Sequence, residues 1–67
     1  MTVTEQDYAI YARHALHRLE IAAVATREMV EAGQYAEAYS NLQRVEALLV
    51  KARDEVQKAM RERWLRL

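Results

Sequence analysis

The stretch Glu31-Ala32-Gly33-Gln34-Tyr35 lies at the middle of the chain and decides its fold. Gly33 is the only glycine among 67 residues, and the chain has no proline. A glycine just past a helix end can adopt the left-handed backbone conformation that closes the helix at little steric cost. Because helical sequence patterns of nearly equal length flank Gly33, we predict an all-α, antiparallel two-helix hairpin. Its first helix covers about 5–32, its turn 33–34 and its second helix about 35–65.

The composition limits the architecture and the function classes. A chain of 67 residues holds one small domain, so we treat 1–67 as a single helical-hairpin domain. Charged residues make up 30% of the chain, and Ala, Leu, Glu and Arg are common, as is typical of long amphipathic helices. Ten basic and ten acidic residues balance, which disfavours a general polyanion binder.

The same sequence predicts a cytoplasmic protein. It has no cysteine and hence no disulfide or thiolate metal ligand. It has no apolar run of the roughly 20 residues that span a bilayer. Residues 1–5 lack the charged and apolar regions of a secretion signal. We therefore expect no membrane partner.

The first helix begins with a capping-box pattern and continues with an apolar face. Thr4 is the expected N-cap residue and Asp7 lies three positions later. A rotation of 100° per residue then places one set of side chains on the face expected to pack against the second helix. This set contains Tyr8, Ala12, Ala15, Leu16, Leu19, Ala22, Ala23, Thr26, Met29 and Val30, with Tyr11 at its edge.

A second stripe follows the opposite side of the first helix, and we call it the outer stripe. Its members are spaced by four and three residues in turn: Ile10, His14, His17, Ile21, Val24 and Glu28. Single exposed apolar residues are common on proteins and need no explanation. Three branched apolar residues aligned in one register instead indicate a surface that another molecule covers.

The second helix carries a heptad-like stripe that we expect to face the first helix. It consists of Tyr35, Ala38, Leu42, Val45, Leu49, Ala52, Val56 and then Ala59 or Met60. Leu48 widens the stripe on one flank, and Tyr39 and Val50 widen it on the other. The charged residues between these positions, Glu55 and Glu62 among them, are expected to face solvent.

Two helices alone seldom bury enough surface to offset the entropy lost on ordering the chain. We therefore expect a homodimer that forms a four-helix bundle. Folding about Gly33 gathers basic residues at the open end and acidic residues at the turn, which favours head-to-tail packing of the two copies. The pattern leaves open whether the outer stripe is the dimer seam or binds a different protein.

The sequence has few features of a catalytic or metal-binding site. The chain has no Gly-rich phosphate loop, no GxSxG motif and no HExxH motif, and Ser40 is its only serine. We expect no enzymatic activity, no catalytic residues, no cofactor and no small-molecule substrate. His14 and His17 share a helix face, but no cysteine or carboxylate on the same turn completes a metal site.

Nucleic acid is the alternative ligand. Arg13, His14, His17 and Arg18, together with the C-terminal arginines and Trp64, offer cations and an aromatic ring to an RNA helix. Glu20, Glu28 and Glu62 interrupt this surface. A third interpretation is a purely structural oligomerisation module.

Three resemblances bear on fold and function. The run 31–38 resembles the turn between the helices of tetratricopeptide-like hairpins, which indicates a tight helix-helix turn. In length, central turn and heptad seams, the whole chain resembles the Rop family of plasmid RNA-binding proteins, and this implies a dimeric four-helix bundle. Its format is also similar to small phage helical-hairpin dimers that inhibit host proteins, such as anti-activators of quorum-sensing transcription regulators.

These observations lead to one expected function. We predict a non-enzymatic, homodimeric regulator that binds another protein, such as an inhibitor of a host transcription regulator encoded by a phage or mobile element. Ile10, Ile21 and Val24, with His14 and His17, would enter a groove on that partner. Arg13, Arg18 and Arg27 would orient it, and the acidic residues Glu28, Glu31 and Glu37 would meet a basic surface.

Overall fold

The two predicted helices pack against each other along their length. The structure is a computed structural model, and it describes residues 3–66. Helix α1 spans Glu5–Glu31 and helix α2 spans Tyr35–Leu65. The described residues contain no strand, so the prediction of an all-helical hairpin is confirmed. The hairpin is elongated, with principal extents of 51 × 19 × 13 Å.

The capping box at the start of α1 is confirmed. The Asp7 backbone N–H donates to Thr4 Oγ1 at 3.3 Å, and the Thr4 backbone N–H donates to Asp7 Oδ2 at 2.9 Å. Two backbone donors that have no partner within the helix are satisfied in this way, and the acidic side chain lies at the positive end of the helix dipole. These bonds explain why the helix begins at Glu5.

Gly33 closes α1 in the predicted left-handed conformation, with φ of 76°. The Gln34 backbone N–H donates to the Met29 carbonyl at 2.8 Å, and the Gly33 N–H donates to the Val30 carbonyl at 3.0 Å. This pair of bonds is the Schellman arrangement that satisfies carbonyls at the end of a helix. Only three residues, 32–34, separate the two helices, so the chain reverses direction immediately.

The seam between the helices is lined mainly by alanine. The buried apolar residues are Ala12, Ala15 and Ala22 of α1 and Ala38, Leu48 and Ala52 of α2. Small side chains allow two helix axes to approach closely, towards the lower end of the usual 8–10 Å range. Leu48 is the only large side chain in this set, so the seam itself buries little apolar volume.

The prediction for the inner face of α2 is half wrong. Ala38, Val45, Ala52 and Ala59 do turn towards α1, but Tyr35, Leu42, Leu49 and Val56 are exposed. The positions that alternate with the alanines along the seam are instead Asn41, Leu48, Glu55 and Glu62. Helix α2 is therefore rotated about its axis relative to the prediction, and its larger side chains lie outside the seam.

A polar cluster accompanies this rotation. Asn41 donates through Nδ2 to the Ala22 carbonyl at 2.9 Å and to Thr26 Oγ1 at 2.7 Å. The buried Thr26 hydroxyl in turn donates to the Ala22 carbonyl at 2.7 Å. A buried hydroxyl and a carbonyl are thus bonded by a side chain from the opposite helix, which holds one register between α1 and α2.

Charged side chains border the same seam near the open end. Glu5 of α1 and Arg63 of α2 form an ion pair, with Oε1 and Nε 2.6 Å apart. Lys58 Nζ lies 5.8 Å from the centre of the Tyr8 ring and 3.6 Å from Glu55 Oε1. Glu55 was expected to face solvent, but its side chain is only 13% exposed because the seam follows the rotated face of α2.

The prediction for the inner face of α1 is also partly wrong, at Leu16, Ala23 and Val30. They were expected to contact α2, but all three are exposed. The seam on α1 is narrower than the sequence pattern because alanines at 12, 15 and 22 already bring the helices into contact. Apolar side chains flanking that line remain uncovered.

Candidate protein-interaction surface

The outer stripe lies on the side of α1 that faces away from α2. Its three branched apolar residues are substantially exposed: Ile10 at 44%, Ile21 at 59% and Val24 at 46%. His14, His17 and Glu28 are exposed as well. The stripe follows α1 for five turns, so it presents a straight apolar ridge interrupted by two imidazole rings.

The two arginines assigned to this surface lie on opposite sides of the ridge. Arg13 lines an open groove with Ile10, Leu16 and Glu20. Arg18 lines a different groove, which includes Tyr11 and Lys51. His14 and His17 border both grooves. The cluster that the sequence suggested as one cationic patch is therefore divided by the ridge between two surfaces.

Acidic residues gather near the turn. Glu28, Glu31 and Glu37 are exposed there, and Glu31 Oε1 lies 3.9 Å from Arg27 Nε. Both members of that pair are about 70% exposed, so the pair contributes little to stability. Glu28 and Glu37 leave the turn end with an acidic surface beside the end of the outer stripe.

The sequence pattern did not reveal a second apolar surface, because all of its residues except Ala9 were predicted to lie in the inner seam. We call it the apolar face. It is formed by Ala9, Leu16, Ala23 and Val30 of α1 and by Leu42, Leu49, Val56 and Met60 of α2. Two open grooves run along it: one is lined by Leu16, Leu49 and Val56, and the other by Ala9, Met60 and Trp64.

On the opposite side of the hairpin, α2 is charged. At seven-residue spacing, α2 carries Glu37, Arg44, Lys51 and Lys58 along this side, where the apolar face carries Leu42, Leu49 and Val56. Helix α2 is therefore apolar on one side of the seam and charged on the other. The size contrast between the heptad Ala38, Val45, Ala52 and Ala59 and the heptad Leu42, Leu49 and Val56 beside it is the signal in the sequence that could have separated seam from surface.

Two further properties of the described residues concern metal binding and membrane insertion. Among residues 3–66, no group of three or more His, Asp or Glu side chains is arranged to hold a metal ion. Neither α1 nor α2 is both long and apolar enough to cross a membrane.

Comparison with known proteins finds no family model, no curated protein and no solved structure that matches this chain.

Proposed function

We propose that this chain is a small, non-enzymatic, homodimeric regulator that acts by binding another protein through the outer stripe of α1. The supporting observation is the alignment of Ile10, Ile21 and Val24 on the side of α1 remote from α2, each between 44% and 59% exposed. An aligned apolar ridge on a helix matches the way amphipathic helices enter hydrophobic grooves on partner proteins.

Charge on both sides of the ridge would orient that contact. Arg13 and Arg18 flank it on opposite sides, so a partner groove with acidic residues along both rims would fit it. Glu28 continues the ridge towards the acidic turn, where a basic surface of a DNA-binding regulator would be accommodated. Inhibition of such a host regulator, by a protein of phage or mobile-element origin, is the role we propose.

The test is a substitution at the centre of the ridge. Ile21→Asp should abolish capture of the partner from the lysate of the native host, because it places a charge in a contact that must be dry. Ile21 is exposed on the side of α1 that faces away from α2, so circular dichroism should report unchanged helix content.

Val50→Asp provides the matched control. Val50 is 45% exposed on the outer side of α2, so its substitution changes charge and apolar area similarly at a different place. Affinity purification followed by mass spectrometry should recover the same partner with this variant as with the wild type. A partner that is retained equally by Ile21→Asp and Val50→Asp would refute the proposed role of the outer stripe.

A further inference from the structure

The elongated single hairpin exposes more surface than a compact chain of its size. The accessible surface is 5540 Å² for a mass of 7.8 kDa. A compact monomer of that mass would expose about 4,400 Å². The excess of roughly 1,100 Å² exceeds the ~800 Å² that each partner contributes to a standard protein interface. A second copy placed on a face 51 Å long and 19 Å wide could cover it.

We infer that the apolar face is the seam of an antiparallel homodimer in which α1 packs on the α1 of the second copy and α2 on its α2. This inference rests on the homodimer of the proposed function and assigns that dimer a surface. It leaves Ile10, Ile21 and Val24 of the outer stripe free to bind the other protein, and Arg13 lies on the rim between the two surfaces.

The apolar residues fit one two-fold axis. In an antiparallel pair of identical helices, facing residues have numbers with a constant sum. An axis at the level of Leu16 and Leu49 places Ala9 opposite the partner's Ala23, and Leu42 opposite the partner's Val56. Leu16 and Leu49 themselves lie at nearly the same level of the hairpin, since the hydrogen bond between Thr26 and Asn41 sets the level of one helix against the other.

The charged residues along the rims fit the same axis. Arg13 and Arg53 border the grooves of the apolar face, and Glu20 and Glu46 each lie one heptad from them on the same rims. The antiparallel arrangement brings Arg13 to the partner's Glu20 and Glu46 to the partner's Arg53. Each contact occurs twice in the dimer, so four pairs of opposite charge border the seam.

In the parallel arrangement, rim residues of like charge would meet. In it, α1 packs on the partner's α2 with the turns side by side, so residues at the same level meet. Arg13 then approaches the partner's Arg53, and Glu20 approaches the partner's Glu46. Four like-charge pairs would border the seam, which selects against this arrangement.

Sedimentation equilibrium of the full chain tests whether the apolar face is the dimer seam. Leu49→Asp should raise the dimer dissociation constant at least 100-fold because it buries two facing carboxylates at the axis. Ile21→Asp, at nearly equal exposure on the outer stripe, should leave that constant within about twofold. If Leu49→Asp remains as dimeric as the wild type, or if Ile21→Asp dissociates the dimer, the assigned seam is wrong. A monomeric wild type would refute the homodimer of the proposed function itself.

Charge exchange tests the orientation without altering the apolar contacts. Glu20→Arg should weaken the antiparallel dimer about tenfold at low salt, since two attractive pairs become repulsive. Adding Arg13→Glu to the same chain should restore most of the affinity. In the parallel dimer, Glu20→Arg would place Arg beside the partner's Glu46 and tighten association, so a tighter dimer overturns the inference.

A distance measurement gives an independent answer. The chain has no native cysteine, so Gln34→Cys carries a single spin label at the turn. Pulsed electron paramagnetic resonance on the antiparallel dimer should give a distance of about 50 Å, because each turn lies roughly 17 helical residues from the axis. A distance near 20 Å would place the turns side by side and refute the antiparallel seam.

Discussion

Single residues control where this chain turns and how its helices are registered. Gly33 has a φ of 76°, and a β-carbon added to it would meet no atom within 4 Å. The cost of a substitution there is therefore backbone strain alone. Asn41 contributes a different kind of control, since its amide bonds Thr26 and Ala22 across the seam and fixes which side of α2 faces α1.

We expect Gly33→Val to destabilise the protein by about 1 kcal/mol or more, because a β-branched residue resists the left-handed conformation. Gly33→Asn is the control, since asparagine adopts that conformation with a smaller penalty. Urea denaturation at one fixed protein concentration would measure both, as the stability of a dimer depends on concentration. A neutral Gly33→Val would show that the turn does not depend on this geometry.

At the scale of the elements, the two helices separate small and large apolar side chains onto different surfaces. Ala52 is 3% exposed in the inner seam, whereas Leu49, less than one turn away, is 57% exposed. The alanines bring the helices close together, and the larger residues on the apolar face remain available for a second contact. Helix α2 consequently packs on α1 through its alanines and exposes its larger apolar side chains on the adjacent side.

Ala52→Leu should destabilise the hairpin by about 1–3 kcal/mol because the close seam has no room for an isobutyl group. Ala47→Leu makes the same chemical change at an exposed position of the same helix and should be nearly neutral. Thermal unfolding followed by circular dichroism distinguishes the two variants. Equal melting temperatures would mean that the alanine seam is not closely packed.

At the scale of the whole molecule, charge is distributed unevenly although the net charge is zero. Residues 5–20 and 51–66 carry eight basic and six acidic side chains, whereas residues 21–46 carry two basic and four acidic ones. The open end is therefore more positive than the turn end. This polarity agrees with antiparallel association and keeps RNA binding at the open end as the alternative to protein binding.

The RNA alternative makes a specific demand on two arginines. Replacing Arg13 and Arg18 with alanine should abolish retention on structured RNA at low salt, and retention of the wild type should fall steeply as salt rises. Filter binding across a salt series would measure both effects. Arg13 and Arg18 lie on opposite sides of the outer stripe and so do not form one cationic patch. The protein-binding proposal therefore predicts that the wild type shows no salt-sensitive retention on RNA.

Local sequence signals were enough to predict the hairpin. The lone glycine, the Thr4–Asp7 capping box and the long helical periodicity are local signals, and each corresponds to hydrogen bonds within a few residues. The outer stripe was equally visible, because positions on one isolated helix follow from its 100° rotation per residue.

The side of α2 that faces α1 depends on contacts between the two helices and could not be predicted from local patterns. Two adjacent heptad stripes of α2, one with Ala38 and Ala52 and the other with Leu42 and Leu49, could each face α1. Periodicity alone does not distinguish between them. Alanines allow close approach, and Asn41 reaches Thr26 from only one rotation of the helix. These interactions join residues 15 or more positions apart, so their energies are absent from any local pattern. The same rotation leaves Leu42, Leu49 and Val56 exposed, although their periodicity had predicted an inner core position.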